Sequence, residues 1–469
     1  MRYSLSQRGI RFPRAVAVSL LLVVPLIGLL LLVLVDLIPD RLIVDQLLVA
    51  LRNGSLPRVD YGTGWTGHQV DQFTDCLGLT IGLGDLPGTS VIASAIESPT
   101  LGKCTIAAPR LDGYVAGDGL TRSTEYYRYW HGYSVPIRPL VASVGVRGTR
   151  ILTGALLLVG VLGLAWSLAR RHGRAAPVAL LAPFVLTTDF ADLPGSLPHA
   201  YGVLAVVGTC WLAYVVVDAG PTLFRATLVA GFSGAVVVYT DILTTAPAGW
   251  ALCVFLATLA ASAVATGRRL AAYTGVSAVS WIIGYGWMWF AKWILAAVIY
   301  GYDEVRSTIG SNVSNRLDGE HLDVEEGFFA SNRVNFSQWW AQPLSGVVLL
   351  AIVVLVVVCC VLRFRSSTRD GDRVVDRLVL MSAAVIPVVW YALLSNHSQV
   401  HYWFTYRAVS VVVGIIAASA VTQLAGRSAV LELEHTEDEA GNDELGPDRD
   451  GSDRWDDDAH RVGRVEALE

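Results

Sequence analysis

A short polar and aromatic stretch between two apolar segments carries the side chains best suited to bind a charged group. It covers residues 395–407 and reads Ser-Asn-His-Ser-Gln-Val-His-Tyr-Trp-Phe-Thr-Tyr-Arg. His397 and His401 share one face at helical spacing, and the candidates beside them are Asn396, Tyr402, Tyr406 and Arg407. One interpretation is an aromatic belt at a membrane surface. Because belts rarely collect two histidines and an arginine, the stretch indicates more strongly a binding site for an anionic group.

Two carboxylates four residues apart could act as a base or hold a cation. Asp71 and Asp75 occur in Asp-Gln-Phe-Thr-Asp, just before an apolar run. On a helix both would point the same way, so they could remove a proton from a hydroxyl or bind Mg²⁺ or Mn²⁺ through oxygen. The same residues would suit an N-terminal helix cap. Asp40, Asp45 and Asp60 compete for the catalytic role, and the sequence leaves both interpretations open.

A second aromatic and basic stretch runs from Glu125 to Pro139, with the sequence Glu-Tyr-Tyr-Arg-Tyr-Trp-His-Gly-Tyr-Ser-Val-Pro-Ile-Arg-Pro. This composition suits an amphipathic helix lying in a membrane interface. Tyr129, His131 and Arg138 could contact a substrate from such a helix. A role as interface anchor fits each of them equally well.

Other polar residues stand where apolar segments end. Asp241 lies between two such segments, and its carboxylate could bind sugar hydroxyls or cap a helix. Asp189, Asp192 and His199 occupy a similar position around a short polar loop. We take Asp241 as a substrate-binding candidate and assign no role to the other three.

The elements that must position these side chains are apolar helices. The chain has 469 residues, 53% of them hydrophobic and 16% charged, with a mean hydropathy of +0.50. Apolar runs of about 18 residues recur, which indicates an all-α, polytopic membrane bundle. We predict about ten transmembrane helices, near residues 15–38, 149–169, 176–190, 199–218, 224–240, 248–266, 274–299, 344–363, 378–394 and 407–425.

Arginine sets the orientation of the predicted spans. A basic segment, residues 1–14, precedes the first span, 15–38. With ten spans and a cytoplasmic N-terminus, every later arginine cluster falls on the cytoplasmic side. These clusters contain Arg170, Arg171, Arg174, Arg225, Arg268, Arg269, Arg363, Arg365, Arg369, Arg373, Arg377 and Arg427. We therefore predict a multi-pass protein of the cytoplasmic membrane with both termini in the cytoplasm.

This topology concentrates the unusual polar residues on the extracytoplasmic side. Residues 39–148 form a long first outer loop with interfacial helices, and the bundle, 149–427, contains a second outer loop at 300–342. Residues 428–469 are predicted to be an acidic, disordered cytoplasmic tail. A transporter should carry ionisable groups near the bilayer midplane, so the asymmetry favours a surface-facing enzyme. Membrane lipid is an expected partner and nucleic acid is not.

Cysteine usage gives one further expectation. Cys76 and Cys104 both fall in the first outer loop, whereas the other four cysteines lie inside apolar spans. If the loop is extracytoplasmic, a Cys76–Cys104 disulfide is plausible, because that compartment is oxidising.

The layout resembles the GT-C superfamily of polytopic membrane glycosyltransferases. The likeness is architectural over about residues 1–425. At motif level it depends on three stretches, namely Asp71 to Asp75, Tyr129 to Arg138 and Asn396 to Arg407, and the last two also resemble those of uncharacterised bacterial multi-pass proteins. In the superfamily a sugar carried on a polyprenyl phosphate is transferred outside the cytoplasmic membrane, and an Asp or Glu of the first outer loop usually acts as base.

The resemblance implies transfer of a hexose or pentose from a polyprenyl-phosphate-linked donor to an envelope glycan, lipid or protein, with inversion. Asp71 or Asp75 would be the base. Arg407 and Arg138 would hold the phosphate, assisted by the histidines or by a divalent cation. The enzyme interpretation therefore expects Asp71 or Asp75, Arg407 and His401 in one pocket. The alternatives are a lipid-carrier flippase or other transporter, and a scaffold without a pocket.

Overall fold

The computed structural model describes residues 14–64, 69–84, 89–122, 124–317, 324–365, 373–422 and 424. The predicted acidic tail and nearly all of the basic N-terminal segment lie outside these residues. The described chain is an all-α membrane protein, as predicted, apart from two small antiparallel sheets that the sequence did not indicate. Those sheets pair β1 (Tyr61–Thr63) with β2 (Gln69–Asp71) and β3 (Pro99–Thr100) with β4 (Thr124–Glu125).

Most of the helices follow one another through short connections. In chain order they are α1 (Arg14–Asp36), α2 (Asp40–Arg52), α3 (Gln72–Leu79), α4 (Val91–Glu97), α5 (Cys104–Ala116), α6 (Ser134–His172), α7 (Ala175–Thr187), α8 (Leu197–Asp218), α9 (Leu223–Thr240), α10 (Ala246–Ala261), α11 (Gly267–Tyr300), α12 (Tyr302–Leu317), α13 (Ala330–Trp340), α14 (Ser345–Arg365), α15 (Val374–Ser382), α16 (Val385–Leu393), α17 (Ser395–Val400), α18 (Tyr402–Thr405) and α19 (Arg407–Val421). The longest connections lie between α2 and α3, α5 and α6, and α12 and α13.

Seven helical segments of the described chain are long and apolar enough to cross a membrane. Five are the single helices α6, α8, α9, α11 and α14, and two are the pairs α15 with α16 and α18 with α19. Residues Val23–Asp36 of α1 meet α2 at a bend of 72°, and together they form one further candidate, which makes up to eight. Helices α7 and α10 are apolar but shorter. Each of the ten predicted spans overlaps one of these elements, and the difference in number comes from α1, α7 and α10.

Helix α10 lies at the centre of the bundle because it is apolar on all sides. Every residue from Ala251 to Ala261 is buried, which is the pattern of a helix surrounded by other helices. Helices α9 and α11 cross closely beside it. A methyl group at Gly284 would overlap the Gly231 carbonyl, so a glycine at this crossing permits the approach of the two backbones.

The segment before the bundle packs into a core of its own. Buried side chains of α2, α3, α5 and the first turns of α6 form this core, among them Leu47, Leu79 and Leu111. Cys76 of α3 and Cys104 of α5 are joined by a disulfide. Helix α6 then bends at Gly145, whose φ of 72° is open to glycine. The bend lets one helix serve both the small core and the bundle.

Candidate functional site

One cleft forms where β2, the loop before α8 and the start of α19 meet. Its volume is about 280 Å³, including space open to solvent. We call it the Arg407 cleft, and it is lined by Gln69, Val70, Asp71, Asp189, Asp192, Leu193, Ser196, His199, Trp403, Phe404 and Arg407. It therefore brings together Asp71 and Arg407, two residues singled out from sequence that are 336 positions apart.

Arg407 is held by a two-point ion pair. Its Nε and Nη2 donate to the two carboxylate oxygens of Asp189 at 2.7 and 2.6 Å. Burial raises the pKa of Asp189, but the charge and hydrogen bonds of Arg407 outweigh burial and lower it overall. The third nitrogen, Nη1, is buried and has no hydrogen-bond partner among the described residues. The guanidinium is thus fixed in place, and its Nη1 amino group is left to serve a ligand.

Two more buried donors line the same cleft. Ser196 Oγ and Trp403 Nε1 are both buried, and the described chain offers neither of them a hydrogen-bond partner. A buried donor without a partner is costly, and most buried polar groups in proteins are paired. Together with Arg407 Nη1 they give the cleft three unsatisfied donors. Such a set matches a ligand rich in acceptor oxygens.

Asp71 is the N-cap of α3 and faces the cleft. One carboxylate oxygen, Oδ2, accepts from Thr74 Oγ1 at 2.6 Å and from His199 Nε2 at 2.9 Å. Within the described ranges the other, Oδ1, accepts only the backbone N–H of Thr74, at 3.0 Å, so it can accept one more hydrogen bond. Burial raises the pKa of Asp71, but His199 and Thr74 together lower it below its ordinary value. Asp71 is therefore ionised at neutral pH, with one oxygen available.

His199 is oriented by a chain of hydrogen bonds behind the cleft. Its Nδ1 lies 3.4 Å from Thr244 Oγ1, which donates to Asp241 Oδ1 at 2.5 Å. Asp241 also accepts the backbone N–H groups of Thr244 and Thr245. The contacts of Nδ1 with Thr244 and of Nε2 with Asp71 together fix the orientation of the imidazole ring. Asp241 thus caps the turn before α10 and acts on the cleft only through His199.

Asp75 is enclosed by partners within the protein and does not face the cleft. It is fully buried and accepts from Arg150 Nη2 at 2.5 Å and from the Leu197 backbone N–H at 2.8 Å. Burial raises its pKa although Arg150 and Leu197 oppose that change. Asp71 and Asp75 are each engaged by separate partners, which does not fit a divalent cation shared between them. The described residues contain no group of three or more His, Cys, Asp or Glu placed to hold a metal ion.

The two histidines of the 395–407 stretch lie next to the cleft rather than in its lining. Their ring centroids are 4.7 Å apart, and His397 Nε2 is 3.2 Å from the Leu243 carbonyl oxygen. His401 stacks on Phe404, with 5.2 Å between ring centroids. Asn396 and Tyr406 are buried close by in the chain. His401 therefore supports the wall that Trp403 and Phe404 present to the cleft, and His397 packs behind it.

The candidates of the 125–139 stretch are placed elsewhere. Arg138 is buried and donates to the carbonyl oxygens of Val35 and Ile81, at 3.1 and 2.6 Å, so it secures the end of α1. Burial lowers the pKa of His131 to about 3, so this residue is neutral and is a poor ligand for phosphate. Tyr129 stacks on Trp289. None of the three lines the Arg407 cleft.

Four residues of the cleft had no assigned role in the sequence interpretation. Asp189 and His199 were noted only as polar residues at helix ends, and Ser196 and Trp403 were not noted as ligand-binding groups at all. The available signal was the loop at 189–199, where two aspartates and a histidine interrupt an apolar sequence. Its partner, Asp71, is more than a hundred residues away, so no local pattern joins them.

Comparisons with protein-family models, with curated protein sequences and with solved structures found no match for this chain. The functional argument therefore depends on the geometry of the Arg407 cleft.

Proposed function

We propose that this protein is an integral membrane glycosyltransferase. It would move a sugar from a polyprenyl-phosphate donor to a hydroxyl of a cell-envelope glycan, lipid or protein. One observation carries the proposal: the Arg407 cleft combines an ionised carboxylate that has a free acceptor position with three buried donors that find no partner among the described residues. The carboxylate can accept the proton of the attacking hydroxyl, and the donors can hydrogen-bond to the departing phosphate.

The proposed reaction is a single displacement at the anomeric carbon. The acceptor oxygen forms a bond to that carbon while its proton passes to Asp71 Oδ1. The bond between the anomeric carbon and the phosphate oxygen breaks, and the electron pair leaves with the lipid phosphate. Arg407 Nη1, Ser196 Oγ and Trp403 Nε1 donate to the phosphate oxygens as negative charge develops. No covalent glycosyl-enzyme is formed, so the anomeric configuration is inverted.

The geometry favours Asp71 over Asp75 as the base. Asp71 lines the cleft, whereas Asp75 is enclosed by Arg150 and the N-terminus of α8. The lowered pKa of Asp71 keeps it ionised at neutral pH, at some cost in basic strength. His199 holds the carboxylate in position and is a positioning residue rather than the base.

The cleft would face the extracytoplasmic side of the cytoplasmic membrane, with both chain termini on the cytoplasmic side. Two observations support this orientation. The arginine clusters fall on one side of the predicted spans. The Cys76–Cys104 disulfide lies in the segment that also supplies Asp71, and disulfides persist in oxidising compartments. The transporter alternative predicts a polar cavity lined by Lys292 and Asp218, and it has less support because neither residue lines the cleft.

The proposal is tested by deletion and complementation. Cell-envelope glycans of a strain lacking the gene are compared with wild type, and the strain is then complemented with the wild-type or Asp71→Asn chain. We expect the deletion to remove a glycan modification and Asp71→Asn to leave it missing. In membranes, transfer from polyprenyl-phosphate-linked sugars should fall by about 10³-fold or more, because general-base catalysis contributes about 10²–10⁴-fold.

Asp112→Asn is the matched control. Asp112 belongs to the same segment, is exposed and pairs with Arg58, so the same chemical change there should leave transfer intact. Both variants should be present in the membrane at wild-type levels. An unchanged envelope in the deletion strain would refute the transferase proposal. Full complementation by Asp71→Asn would instead refute only the assignment of the base.

A further inference from the structure

A second cleft lies where α11, α12 and the 126–129 segment meet. Its volume is about 270 Å³, including space open to solvent. We call it the Arg128 cleft, and it is lined by Tyr127, Arg128, Trp289, Trp293, Thr308, Ile309 and Asn312. None of these residues belongs to the Arg407 cleft, so the second cleft needs a separate explanation.

Arg128 meets only neutral partners. Its Nη1 donates to the amide oxygen of Asn312 at 3.0 Å, and its guanidinium stacks over the rings of Tyr126 and Tyr129 at 4.6 and 5.7 Å. Its Nε is buried and has no hydrogen-bond partner within the described ranges. No carboxylate of the described side chains pairs with it. A partly buried cation with a spare donor calls for an anion.

The surroundings increase the excess of positive charge. Lys292 is fully buried on α11, and its ammonium donates to the Ile96 carbonyl oxygen at 2.8 Å and lies over the Trp130 ring. No described acid pairs with Lys292 either. Both cations act on His131, which burial keeps neutral with a pKa of about 3. This part of the protein therefore holds two basic side chains, Arg128 and Lys292, that no described acid pairs with.

The rest of the cleft is suited to an apolar body. Trp289 and Trp293 stand one helical turn apart on α11, with ring centroids separated by 5.5 Å. Phe290 and Ile294, on the neighbouring face of the same helix, are 52% and 46% exposed. Because α11 is long and apolar enough to span a membrane, this face is expected to contact lipid chains. An anion bound at Arg128 would thus sit beside a lipid-facing surface.

We propose that the Arg128 cleft is a binding site for the phosphate headgroup of an anionic membrane lipid, with the lipid chains lying along the exposed face of α11. The guanidinium supplies Nε–H to a phosphate oxygen, and the aromatic rings cover the glycerol end of the lipid chains. This site is independent of sugar transfer. It would exist whether or not the Arg407 cleft is catalytic.

Native mass spectrometry of the full-length protein tests the proposal. The detergent-purified chain is titrated with phosphatidylglycerol, with phosphatidylcholine, and with phosphatidylglycerol in the presence of millimolar inorganic phosphate. We expect at least one tightly bound phosphatidylglycerol that phosphatidylcholine does not replace. Arg128→Gln should weaken that binding about tenfold, as loss of one charge-assisted hydrogen bond implies. Inorganic phosphate should not displace the lipid, because it lacks the apolar body.

Arg306→Gln is the matched control. Arg306 is exposed on α12, so the variant removes the same charge near the same end of α11 without touching the cleft lining. It should bind phosphatidylglycerol within about twofold of wild type. If Arg128→Gln is poorly folded, Arg128→Lys keeps the charge, removes Nε–H and should show an intermediate loss. Wild-type binding by both Arg128 variants, or displacement by inorganic phosphate alone, would overturn the proposal.

Discussion

The two clefts differ in how their arginine is neutralised. In the Arg407 cleft, Asp189 matches the guanidinium charge through two hydrogen bonds, and a second carboxylate, Asp71, stands ready in the lining. In the Arg128 cleft the guanidinium meets an amide, tyrosine rings and no described acid. A site whose arginine is already neutralised holds a phosphate through hydrogen bonds alone and can release it again, as turnover requires. A site with excess positive charge retains its anion, which suits a permanently bound lipid.

The largest expected difference between the two clefts comes from replacing the arginine of each, in separate variants, by lysine. Arg407→Lys keeps a positive charge beside Asp189 but removes the spare Nη1 donor. Transfer should fall by about 10²–10³-fold, the usual cost of losing one donor that stabilises a developing oxyanion. Arg128→Lys should change transfer by less than about threefold, because that arginine is assigned to lipid binding rather than chemistry. The measurement is the initial rate of sugar transfer in membranes at equal protein levels.

A reversal of this pattern would decide against the division of roles. Should Arg128→Lys abolish transfer while Arg407→Lys preserves it, the donor phosphate would bind in the Arg128 cleft, and the Arg407 cleft would be structural. Equal losses in both variants, with normal folding, would mean that the two clefts serve one substrate.

The next effect concerns stability and distinguishes the role of Asp75 from that of Asp71. Asp75→Asn leaves Arg150 without its carboxylate, and we expect the free energy of unfolding to fall by about 2 kcal/mol. Transfer by the folded variant should stay within about threefold of wild type. Thermal unfolding in detergent, measured beside the exposed Asp112→Asn variant, checks this expectation. A stable Asp75→Asn protein without transfer activity would return Asp75 to the candidates for the base.

Local sequence patterns predicted the helices and part of the cleft, and they did so for a physical reason. Apolar runs specify spans because the bilayer requires every backbone polar group to be bonded within its own helix. Asp71 was recognisable because helix capping and base chemistry both place a carboxylate before an apolar helix. The bond between Asp71 and His199 was not predictable, because it depends on how α3 packs against the N-terminus of α8. The same limit applies to Arg138, whose partners are the backbone carbonyls of Val35 and Ile81 and the carboxylates of Asp36 and Asp40.

A smaller effect is expected from His199→Gln, and the pH profile identifies its origin. The hydrogen bond and charge of His199 help to lower the pKa of Asp71 against the effect of burial. Without them the pKa of Asp71 should rise. As the pH falls, Asp71 then becomes protonated, and transfer is lost, at a higher pH than in the wild-type protein. Near neutral pH we expect about a tenfold loss of rate. A His131→Gln variant should not move the acid limb of the profile, because His131 lies outside the Arg407 cleft. An unmoved acid limb in His199→Gln would show that His199 does not act on Asp71.

The smallest expected effect shows whether Trp403 acts through its indole N–H or only through its aromatic ring. Trp403→Phe keeps an aromatic wall in the Arg407 cleft but removes the buried indole N–H that lacks a partner. One neutral hydrogen bond is worth about 1 kcal/mol, so transfer should fall by roughly three- to tenfold. Trp293→Phe makes the same change in the Arg128 cleft, where the ring is expected to serve as an apolar cover, and should alter neither transfer nor phosphatidylglycerol binding. If Trp403→Phe transfers sugar at the wild-type rate, the indole N–H does not contact the departing phosphate. The phosphate would then depend on Arg407 and Ser196 alone, and the cleft would offer two donors rather than three.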